Sequence, residues 1–498
     1  MKNFTLKNKW QIGIPLLSLA GVAGYLITSM CGYGAGYPLD DAWIHLTYAR
    51  NLIMTGEWMF FPGILSGGST SPLWTVLLTP AFLLQIAPVL WTSILAILSL
   101  SALGYLAKLF LEQQGINANT GWLAAVVILE WHFVWAALSG METLLQSIGN
   151  LAVAVMLFIA WQKQNTAANW FLVGLLIGAL IWVRPEGLTW MGPAFVLLFA
   201  TFIRKKEAKK SVGIYLIVGF MLPFAAYLLF NEHVAGSMWP TTMYAKQAEY
   251  QSQLSVPFLT RIVQLFALPF IGSSILLLPG IIYLVVHMVK TKNILLLVYY
   301  LWWIGMVILY ATKLPVTYQH GRYMIPVMII PILCGITGTI FLFQNIRWRT
   351  IWKNRLVFAS LSLWIGLQLA FYGLGAKAYR EDVGIIETEM VRTAQWVAEH
   401  IPYEKRLAVH DIGAMGYFSG RKFIDLAGLI NPEVIPIIRD EEQLVNFLNK
   451  QDIDYVISFP NWYPTLLTGK EVLYSTQSPL SPSLGGDNMT VFCWKKCQ

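Results

Sequence analysis

Charged residues are scarce in this sequence. Asp, Glu, Lys and Arg make up 12% of its 498 residues, whereas 56% are hydrophobic and 21 are Trp. So little charge cannot cover the apolar surface of a chain this long, which excludes an ordinary soluble enzyme. Cysteine is scarce too, and four cysteines are too few for a disulfide framework. The composition indicates a polytopic membrane protein.

The motifs of several enzyme and transporter classes are also missing. The sequence has no GxxxxGK[ST] phosphate-binding loop and no GxSxG nucleophile elbow. It has no cluster of His and Cys with the spacing of metal ligands. Nucleotide-driven transport and serine hydrolysis therefore lose most of their support.

Long apolar runs are what the sequence does contain. Residues 11–30 carry no charge, have the length of about 20 residues that a spanning helix needs, and lack a small-residue cleavage site, so we expect a retained first helix. Further apolar runs lie at roughly 72–85, 90–111, 120–139, 145–161, 169–184, 187–203, 212–230, 262–288, 294–312, 323–344 and 356–374. We expect about 11 to 13 crossings. One of the six runs between 72 and 203 must fail to span, and the short run 72–85, next to 90–111, is the best suspect.

Basic clusters predict which helix ends face the cytoplasm, because Lys and Arg mark the cytoplasmic side of short loops. These clusters occupy residues 2–9, 204–210, 289–293 and 347–355. We therefore expect a multi-pass protein of the bacterial inner membrane with its N-terminus in the cytoplasm. The segments expected outside are the loops 31–71, 231–260 and 313–322 and the tail after about residue 375.

The tail has a different pattern from the rest of the chain. Residues 385–401 form an amphipathic helix pattern, and the strand-like segments "KRLAVHD", "KFIDLAG", "DYVISF" and "MTVFCWK" follow between Gly, Pro and Asn turns. We therefore expect a transmembrane domain over 1–375 and an extracytoplasmic soluble α/β domain over 376–498.

Acidic residues are few enough to consider one by one. Of 26 Asp and Glu, 16 follow residue 375, and two of the remaining ten are adjacent, Asp40 and Asp41 in the first outer loop. The next segment, "DAWIHLTYARNLIM", has an amphipathic pattern that predicts a helix lying flat on the outer leaflet. Asp40 could cap this helix, and pairing of the two acids with Arg50 would also explain them without catalysis.

Several cations lie on the predicted outer side, against the usual trend. An anionic ligand at the interface would explain them, since Arg and Lys bind phosphate through charge-assisted hydrogen bonds. The alternative is that they reach towards lipid headgroups. These residues are Arg50, Lys246, Lys313, His320 and Arg322.

Two pairs of ionisable residues lie within or beside apolar runs. Arg184 and Glu186 flank a Pro between two runs, where they are either a pair at a turn or the lining of a polar cavity. Glu130 and His132 lie well inside a run, where ionisable groups face a cavity or each other. As a proton relay they would suit a secondary transporter, which stays open as an alternative.

The predicted outer site suits transfer of a group from a lipid-phosphate carrier to a hydroxyl. A carboxylate near the attacking hydroxyl acts as general base, while cations stabilise the charge that develops on the leaving phosphate. The activated sugar-phosphate bond supplies the driving force.

A series of motifs runs in order along nearly the whole chain. The first is "LDDAWIHLTYARNLIMTGEWMFFPGILSGGSTSPLWTVLL", and "SGMETLL" (139–145), "RPEG" (184–187), "GSMWPTTMYAK" (236–246), "HGRYMIP" (320–326) and "HDIGAMGYFSGRKFIDLAGLINP" (410–432) follow. The series resembles the GT-C superfamily glycosyltransferases, in particular the arabinofuranosyltransferase-like or protein mannosyltransferase-like group. The segment "PTTMYAK" departs from the pattern because it lacks the expected Asn after the Pro.

The resemblance implies a GT-C fold with juxtamembrane helices on the outer face and a polyprenyl-phosphate sugar donor. The acceptor would be an extracytoplasmic glycan, lipid or protein, and the product would be inverted at the anomeric carbon. Nucleic acid is not an expected partner, and the alternative function is a secondary transporter or lipid-linked glycan flippase. A non-catalytic membrane scaffold whose outer domain binds a partner is a further alternative.

The resemblance also assigns roles to residues. Asp40 becomes the general base in preference to Asp41, with His320 as a further catalytic residue. The donor phosphate would be bound by Arg322, Lys246, Arg184 and Arg50. The candidates for acceptor contacts or pocket lining are Trp43, Glu142, Glu186 and Tyr323. Asp40 and Asp41 could bind Mg²⁺ or Mn²⁺, although we expect activity without a tightly bound ion.

Overall fold

The first three quarters of the chain are helical. The computed structural model describes residues 6–116, 119–163, 166–204, 211–346 and 349–496, so most of the basic cluster at 204–210 lies outside the described residues. The helices of this part are α1 (Leu6–Met30), α2 (Asp41–Thr55), α3 (Pro72–Leu83), α4 (Pro88–Gln113), α5 (Thr120–Ile128), α6 (Trp131–Leu138), α7 (Thr143–Phe158), α8 (Ala167–Ile181), α9 (Met191–Arg204), α10 (Ser211–Ala235), α11 (Thr241–Glu249), α12 (Phe258–Ala267), α13 (Leu278–Thr291), α14 (Ile294–Lys313), α15 (Tyr318–Gly321), α16 (Ile325–Asn345) and α17 (Thr350–Ile385). A hairpin of β1 (Met59–Phe61) and β2 (Ile64–Leu65) lies in the first loop.

The chain is an integral membrane protein. Nine helices in the described ranges are long and apolar enough to cross a membrane: Trp10–Met30, Pro88–Gln113, Thr143–Gln162, Pro185–Ile203, Val212–Ala235, Ser273–Thr291, Ile294–Lys313, Ile325–Asn345 and Thr350–His400. α5 and α6 are bent by 57° at the break between them and together make a tenth candidate. Three shorter apolar helices, at Pro72–Leu83, Ala167–Ile181 and Phe258–Phe270, bring the number of apolar segments to the upper end of the predicted range.

α3 is the apolar helix that the sequence suggests does not cross. Its 12 residues rise about 18 Å, well short of about 30 Å of hydrocarbon. The chain then turns at Gln85, a non-glycine residue with a φ of 54°, and Pro88 begins the 26-residue helix α4. α3 is therefore too short to span, as the odd number of crossings in this region requires.

The break between α5 and α6 contains the Glu130 and His132 pair. The Glu130 carboxylate accepts a hydrogen bond from the His132 backbone N–H at 2.9 Å, so it caps the first turn of α6. Its other oxygen lies 2.8 Å from His132 Nδ1. The two groups thus pair with each other at the break, and the Glu130 carboxylate caps the first turn of α6.

The C-terminal part is a five-stranded sheet with short helices. A π-helical segment, Ile386–Val391, joins α17 to the remaining elements, which are α18 (Arg392–His400), β3 (Leu407–Val409), α19 (Ile412–Phe418), β4 (Phe423–Asp425), α20 (Glu441–Lys450), β5 (Tyr455–Ser458), β6 (Val472–Ser475), α21 (Leu480–Ser483) and β7 (Thr490–Cys493). The strand order is β4-β3-β5-β7-β6; the first three are parallel, and β7 is antiparallel to both of its neighbours. All four strand-like segments of the sequence are strands, while β6 was not predicted. Residue 375, the predicted domain end, lies inside α17.

The sheet domain packs on the first loop through α19 and α2. α2 was predicted to have an apolar side and a polar side, as in a helix that lies flat on the outer leaflet, and the burial of its residues does not follow this division. Both the predicted apolar side, such as Leu46, and the predicted polar side, such as Thr47, are buried. The reason is that α3 covers one face of α2 and α19 covers the other.

Candidate active site

Three charged residues lie where two cavities of the protein meet. Asp41 Oδ2 lies 2.9 Å from Arg322 Nη2 and 3.9 Å from Lys246 Nζ. The first cavity has a volume of about 550 Å³ and the second about 300 Å³, and all three residues line both. α2, α11 and the turn before α16 each supply one of these side chains, so chain segments about 200 and 280 residues away complete the site around Asp41.

The smaller cavity, which we call the apolar cavity, extends among the membrane helices. Its apolar lining includes Leu188 from the turn before α9, Trp239 just before α11, Met243 of α11 and Leu309 of α14. Exposed Lys313 lies at the end of α14 and also lines it.

A cluster of charged residues around Arg184 also borders the apolar cavity, and its members form ion pairs with each other. Arg184 lies 3.1 Å from both Glu142 and Glu186, and the Tyr310 hydroxyl donates a hydrogen bond to Glu186 at 3.0 Å. His45 Nε2 approaches the buried Glu142 at 3.5 Å. Two carboxylates therefore already share the Arg184 charge, in contrast to Arg322 and Lys246, which face the junction.

The larger cavity, which we call the polar cavity, is closed on one side by the sheet domain. His410 joins that domain to α11, because its Nδ1 hydrogen-bonds the Tyr463 hydroxyl at 2.6 Å and its Nε2 lies 3.8 Å from Glu249. The Trp462 ring packs against His410 with ring centres 4.4 Å apart. Asp382 of α17 contributes a carboxylate to the lining.

Asp40 is only 8% exposed and binds the sheet domain. Its two carboxylate oxygens accept hydrogen bonds from the backbone N–H groups of Gly413 at 2.6 Å and Ala414 at 2.8 Å. A Cβ atom at position 413 would overlap the Asp40 carbonyl oxygen, so only glycine allows this approach. The sequence had suggested that Asp40 caps its own helix, α2. Asp40 makes no capping bond to α2 and caps α19 instead.

The surroundings give the carboxylates of this region different proton affinities. Burial raises the pKa of Asp40 to about 6, although the N–H groups of Ala414 and Gly413 lower it. Burial also favours protonated Asp41, but Lys246 and Arg322 outweigh it and hold the pKa of Asp41 well below its usual range. Burial, together with Asp40 and Asp41, raises the pKa of Asp411 well above its usual value. Asp41 is thus the fully ionised member of the group.

His320 lines neither cavity, so the structure does not bring it to the junction with Asp41 as expected. Its Nε2 lies 2.7 Å from Asp382 Oδ2, and its ring packs edge-on against Trp131 and Trp135. Its backbone, with a φ of 57°, turns the chain so that the ring points to α17. No sequence pattern links His320 to Asp382, which lies 62 residues later.

Arg50 and Trp43 are also away from both cavities, so neither can contact the donor phosphate or line the pocket as predicted. Arg50 donates to the Tyr417 carbonyl at 2.9 Å and lies over the Tyr417 ring, at the end of α19. Trp43 is buried against the rings of Tyr37 and Phe418. Both residues hold the sheet domain on α2.

The remaining predicted residues do lie at the cavities. Tyr323 lines the apolar cavity and accepts a hydrogen bond from Arg322 at 3.0 Å. Glu142, Glu186 and Arg184 line the same cavity. Sequence reasoning did not single out five residues that line the polar cavity, namely Glu249, Asp382, His410, Asp411 and Trp462. The order of the motifs was the only signal for them, since "HDIGAMG" holds two of the five.

The acidic pair does not fit a divalent cation as it is arranged. Backbone N–H groups occupy both oxygens of Asp40, and Arg322 and Lys246 lie against Asp41. Among the described residues, no three His, Cys, Asp or Glu side chains are grouped to hold a metal ion. An ion would have to displace these donors, so we derive no step through a metal.

Comparisons with known proteins bear on the fold. Residues 377–492 match a family described as a domain of unknown function (DUF8728), and no curated protein matches the sequence. ArnT from Cupriavidus metallidurans, bound to undecaprenyl phosphate, aligns with a TM-score of 0.52 and 12% identity over 96% of this chain and 97% of that one. AglB from Archaeoglobus fulgidus, an archaeal oligosaccharyltransferase in complex with an inhibitory peptide and a dolichol-phosphate, aligns with a TM-score of 0.60 and 11% identity over 91% and 70%.

The arabinofuranosyltransferase AftD from Mycobacteria is also among the similar structures. It aligns with a TM-score of 0.49 and 14% identity, over 96% of this chain and 40% of AftD. ArnT, AglB and AftD are GT-C glycosyltransferases. The alignments to ArnT and AglB confirm that the chain has the GT-C fold.

Proposed function

We propose that the protein is a glycosyltransferase that moves a sugar from a polyprenyl-phosphate-linked donor to an acceptor hydroxyl. The observation that carries this proposal is the contact of Asp41 with Arg322 and Lys246 at the junction of an apolar and a polar cavity. The fold adds support, because ArnT binds undecaprenyl phosphate and AglB a dolichol-phosphate on the same architecture.

The donor enters from the apolar cavity. Its prenyl chain lies against lining such as Met243 and Leu309, while its phosphate reaches the junction. Arg322 and Lys246 bind the phosphate there and stabilise the charge that develops as the sugar leaves. The sugar then lies at the mouth of the polar cavity, next to Asp41.

Asp41 is the general base in this proposal, in place of the predicted Asp40. The acceptor hydroxyl attacks the anomeric carbon and its proton moves to Asp41; the bond from carbon to phosphate oxygen breaks and its electron pair leaves with the phosphate. Direct displacement inverts the anomeric carbon. Bound phosphate shares the two cations, so the proton affinity of Asp41 rises when the donor is in place.

Asp40 has a different role, which follows from its partners. Both of its oxygens accept backbone N–H groups of α19, so its carboxylate is held against that helix and not against the junction cations. It fixes α19, and with it the wall of the polar cavity that the sheet domain supplies. The acidic pair thus divides between chemistry and positioning.

The location that we propose is a bacterial inner membrane with the site on the extracytoplasmic face. The basic cluster at 289–293 lies between α13 and α14, at the helix ends away from the junction. Under the positive-inside rule those ends are cytoplasmic, which puts the acceptor, a glycan, lipid or protein, on the opposite side.

Release of polyprenyl phosphate from a panel of radiolabelled polyprenyl-phosphate sugars tests the function. Purified protein is given each donor with crude envelope as acceptor source. We expect Asp41→Asn to lower turnover about 10³-fold with donor binding retained. Glu57→Gln, an exposed acid in the same loop, is the matched control and should match wild type.

Two outcomes would contradict the proposal. Unchanged turnover in Asp41→Asn would remove Asp41 as the base, and a large loss in Asp40→Asn alone, with the domain still docked, would return that role to Asp40. No release from any donor by any protein would favour the transporter or lipid-linked glycan flippase.

A further inference from the structure

The polar cavity opens at one end of the parallel strands of the sheet domain. His410 follows β3, Leu429 follows β4, and Trp462 follows β5, and all three residues line the cavity. The carboxyl ends of β4, β3 and β5 therefore point into it. In open α/β sheets, ligands bind outside the carboxyl ends of the strands.

The strand order places a switch point at the same position. From β3 the chain crosses through α19 to β4 on one side, and then through α20 to β5 on the other side of β3. Connections that leave in opposite directions open a crevice above the central strand, which is where such folds bind small molecules. The cavity volume of about 550 Å³ lies within the range of about 300–1,000 Å³ for small-molecule sites.

Aromatic rings with exposed faces line this crevice. Trp462 is 44% exposed although it lines a cavity, and the rings of His410 and Phe459 support it at 4.4 and 5.2 Å. Tyr318 of α15, 38% exposed, also lines the cavity and packs against Tyr250. A supported aromatic face that stays uncovered offers a stacking surface for the C–H faces of a sugar ring.

Hydrogen-bond acceptors line the same cavity as these aromatic rings. Asp411 Oδ2 is buried and finds no hydrogen-bond donor among the described residues, and Glu249 and Asp382 add two more carboxylates. Sugar hydroxyls are donors that would satisfy such groups. The carboxylates also repel a phosphorylated acceptor, since Arg439 is the only cation that the sheet domain adds to the described lining.

A peptide acceptor fits the geometry less well. Extended peptides are commonly held by pairing with a free sheet edge. The edges of this sheet are β4 and β6, whereas the cavity lies at the strand ends. The wall that faces Asp41 therefore offers loops and aromatic rings instead of a strand to pair with.

We propose that the sheet domain is the acceptor site of the enzyme, and that it binds an uncharged saccharide stacked on Trp462 at the strand switch point beside Asp41. This rests on the proposed function for its reaction. Asp411 accepts a hydroxyl of the same sugar, and another hydroxyl points to Asp41 and the donor. Residues 377–492, which match a domain of unknown function, would therefore bind a saccharide.

The experiment uses the full-length protein in nanodiscs and three sets of probes. These are neutral alkyl glycosides, the same glycosides carrying a phosphate, and short peptides with Ser, Thr and Asn. Binding is measured by saturation-transfer difference NMR, and transfer is measured by radiolabel with the donors that release polyprenyl phosphate. Trp462→Ala and Trp462→Phe are compared with Tyr403→Ala, an aromatic residue of the same domain that is 74% exposed and away from the cavity.

We expect at least one neutral glycoside to bind and to accept sugar. Trp462→Ala should raise the acceptor KM about tenfold with the donor KM unchanged, Trp462→Phe should recover most of the loss, and Tyr403→Ala should match wild type. Binding confined to phosphorylated glycosides or peptides, or a Trp462→Ala protein with unchanged glycoside affinity, would overturn the inference.

The two proposals fail in different ways. Release of polyprenyl phosphate without binding of any neutral glycoside would reject the saccharide site and keep the glycosyltransferase. Glycoside binding that depends on Trp462, with no release from any donor, would keep the site and reject the reaction.

Discussion

The apolar cavity and the polar cavity share Asp41, Lys246 and Arg322 and differ in most other respects. The apolar cavity lies among membrane helices and the turns between them, and its other buried charges form one cluster in which Arg184 contacts both Glu142 and Glu186. The polar cavity is walled by loops of the sheet domain and carries uncompensated acceptors such as Asp411. One site thus borders an apolar and a polar environment, and the charged residues that the two cavities share lie at the junction between them.

Removal of a junction cation should affect both cavities and, apart from the loss of the Asp41 base itself, have the largest effect. Arg322→Gln leaves Asp41 with Lys246 alone, so the leaving phosphate loses a charge-assisted donor. We expect kcat to fall about 10²-fold, as for other losses of charge stabilisation in transition states. Steady-state release of polyprenyl phosphate measures it. A change in donor KM with kcat intact would mean that Arg322 only binds the ground state.

A change at the docking of α19 should affect the polar cavity alone. Gly413→Ala places a methyl group against the Asp40 carbonyl and pushes α19 from α2. We expect an increase of about tenfold in acceptor KM, since the sheet-domain wall moves, with the donor KM near wild type. The control is Gly373→Ala, a helical glycine with open space around it. Equal effects on both KM values would contradict separate roles for the cavities.

A change within the apolar cavity should affect the donor KM, and the expected effect is smaller than for Arg322→Gln or Gly413→Ala. Tyr310→Phe removes the hydrogen bond to Glu186, which is worth about 0.5–1.5 kcal/mol. The Glu186 and Arg184 pair then loosens, and we expect the donor KM to rise about threefold while the acceptor KM stays constant. A parallel change in acceptor KM would show that the compensated cluster communicates with the polar cavity.

The pH dependence of stability should show the smallest effect. It reports how the folded protein shifts the pKa of Asp40. Its pKa is about 6 in the fold against 3.8 for the free side chain, so the folded state binds more protons between these values. Stability therefore falls as pH rises from about 4 to 6 and is level above that. Asp41, Asp411 and Lys246 are the charged groups around it, and all remain in Asp40→Asn.

Thermal unfolding in detergent measures this slope. The Tm of wild type minus that of Asp40→Asn should become more negative from pH 4 to pH 6 and then stay constant. A difference that is flat across this range would mean that Asp40 ionises in the fold as it does in water.

The membrane-spanning architecture could be predicted from the sequence because apolar runs and scarce charges determine it locally. Asp41, Lys246 and Arg322 were found for a related reason, as charges on the predicted outer side of the membrane in a chain with few charges. The partners of Asp40 could not be found, since the N–H groups of Gly413 and Ala414 come from a helix some 370 residues away. Backbone donors leave no trace in residue type.

His320 and Arg50 show the same limit from the other side. Both have the chemistry of the proposed site, and sequence alone cannot tell that their partners are Asp382 and the Tyr417 carbonyl. Trp462 was missed because an aromatic residue after a strand is usually part of a core. Its exposed ring becomes visible only when the strand ends are assembled.

The length of α17 bears on the depth in the membrane at which the proposed reaction takes place. From Thr350 to Asp382 no proline interrupts the helix, and its 32 residue steps rise about 48 Å. A whole bilayer with its headgroups measures about 40–45 Å, so a helix of this length that begins at one surface of the bilayer extends to the headgroups of the other leaflet. Because Asp382 lines the polar cavity, the length of α17 relates the depth of that cavity to the surface of the membrane. An acceptor must bring its hydroxyl down to that surface, and a donor need not lift its phosphate out of it.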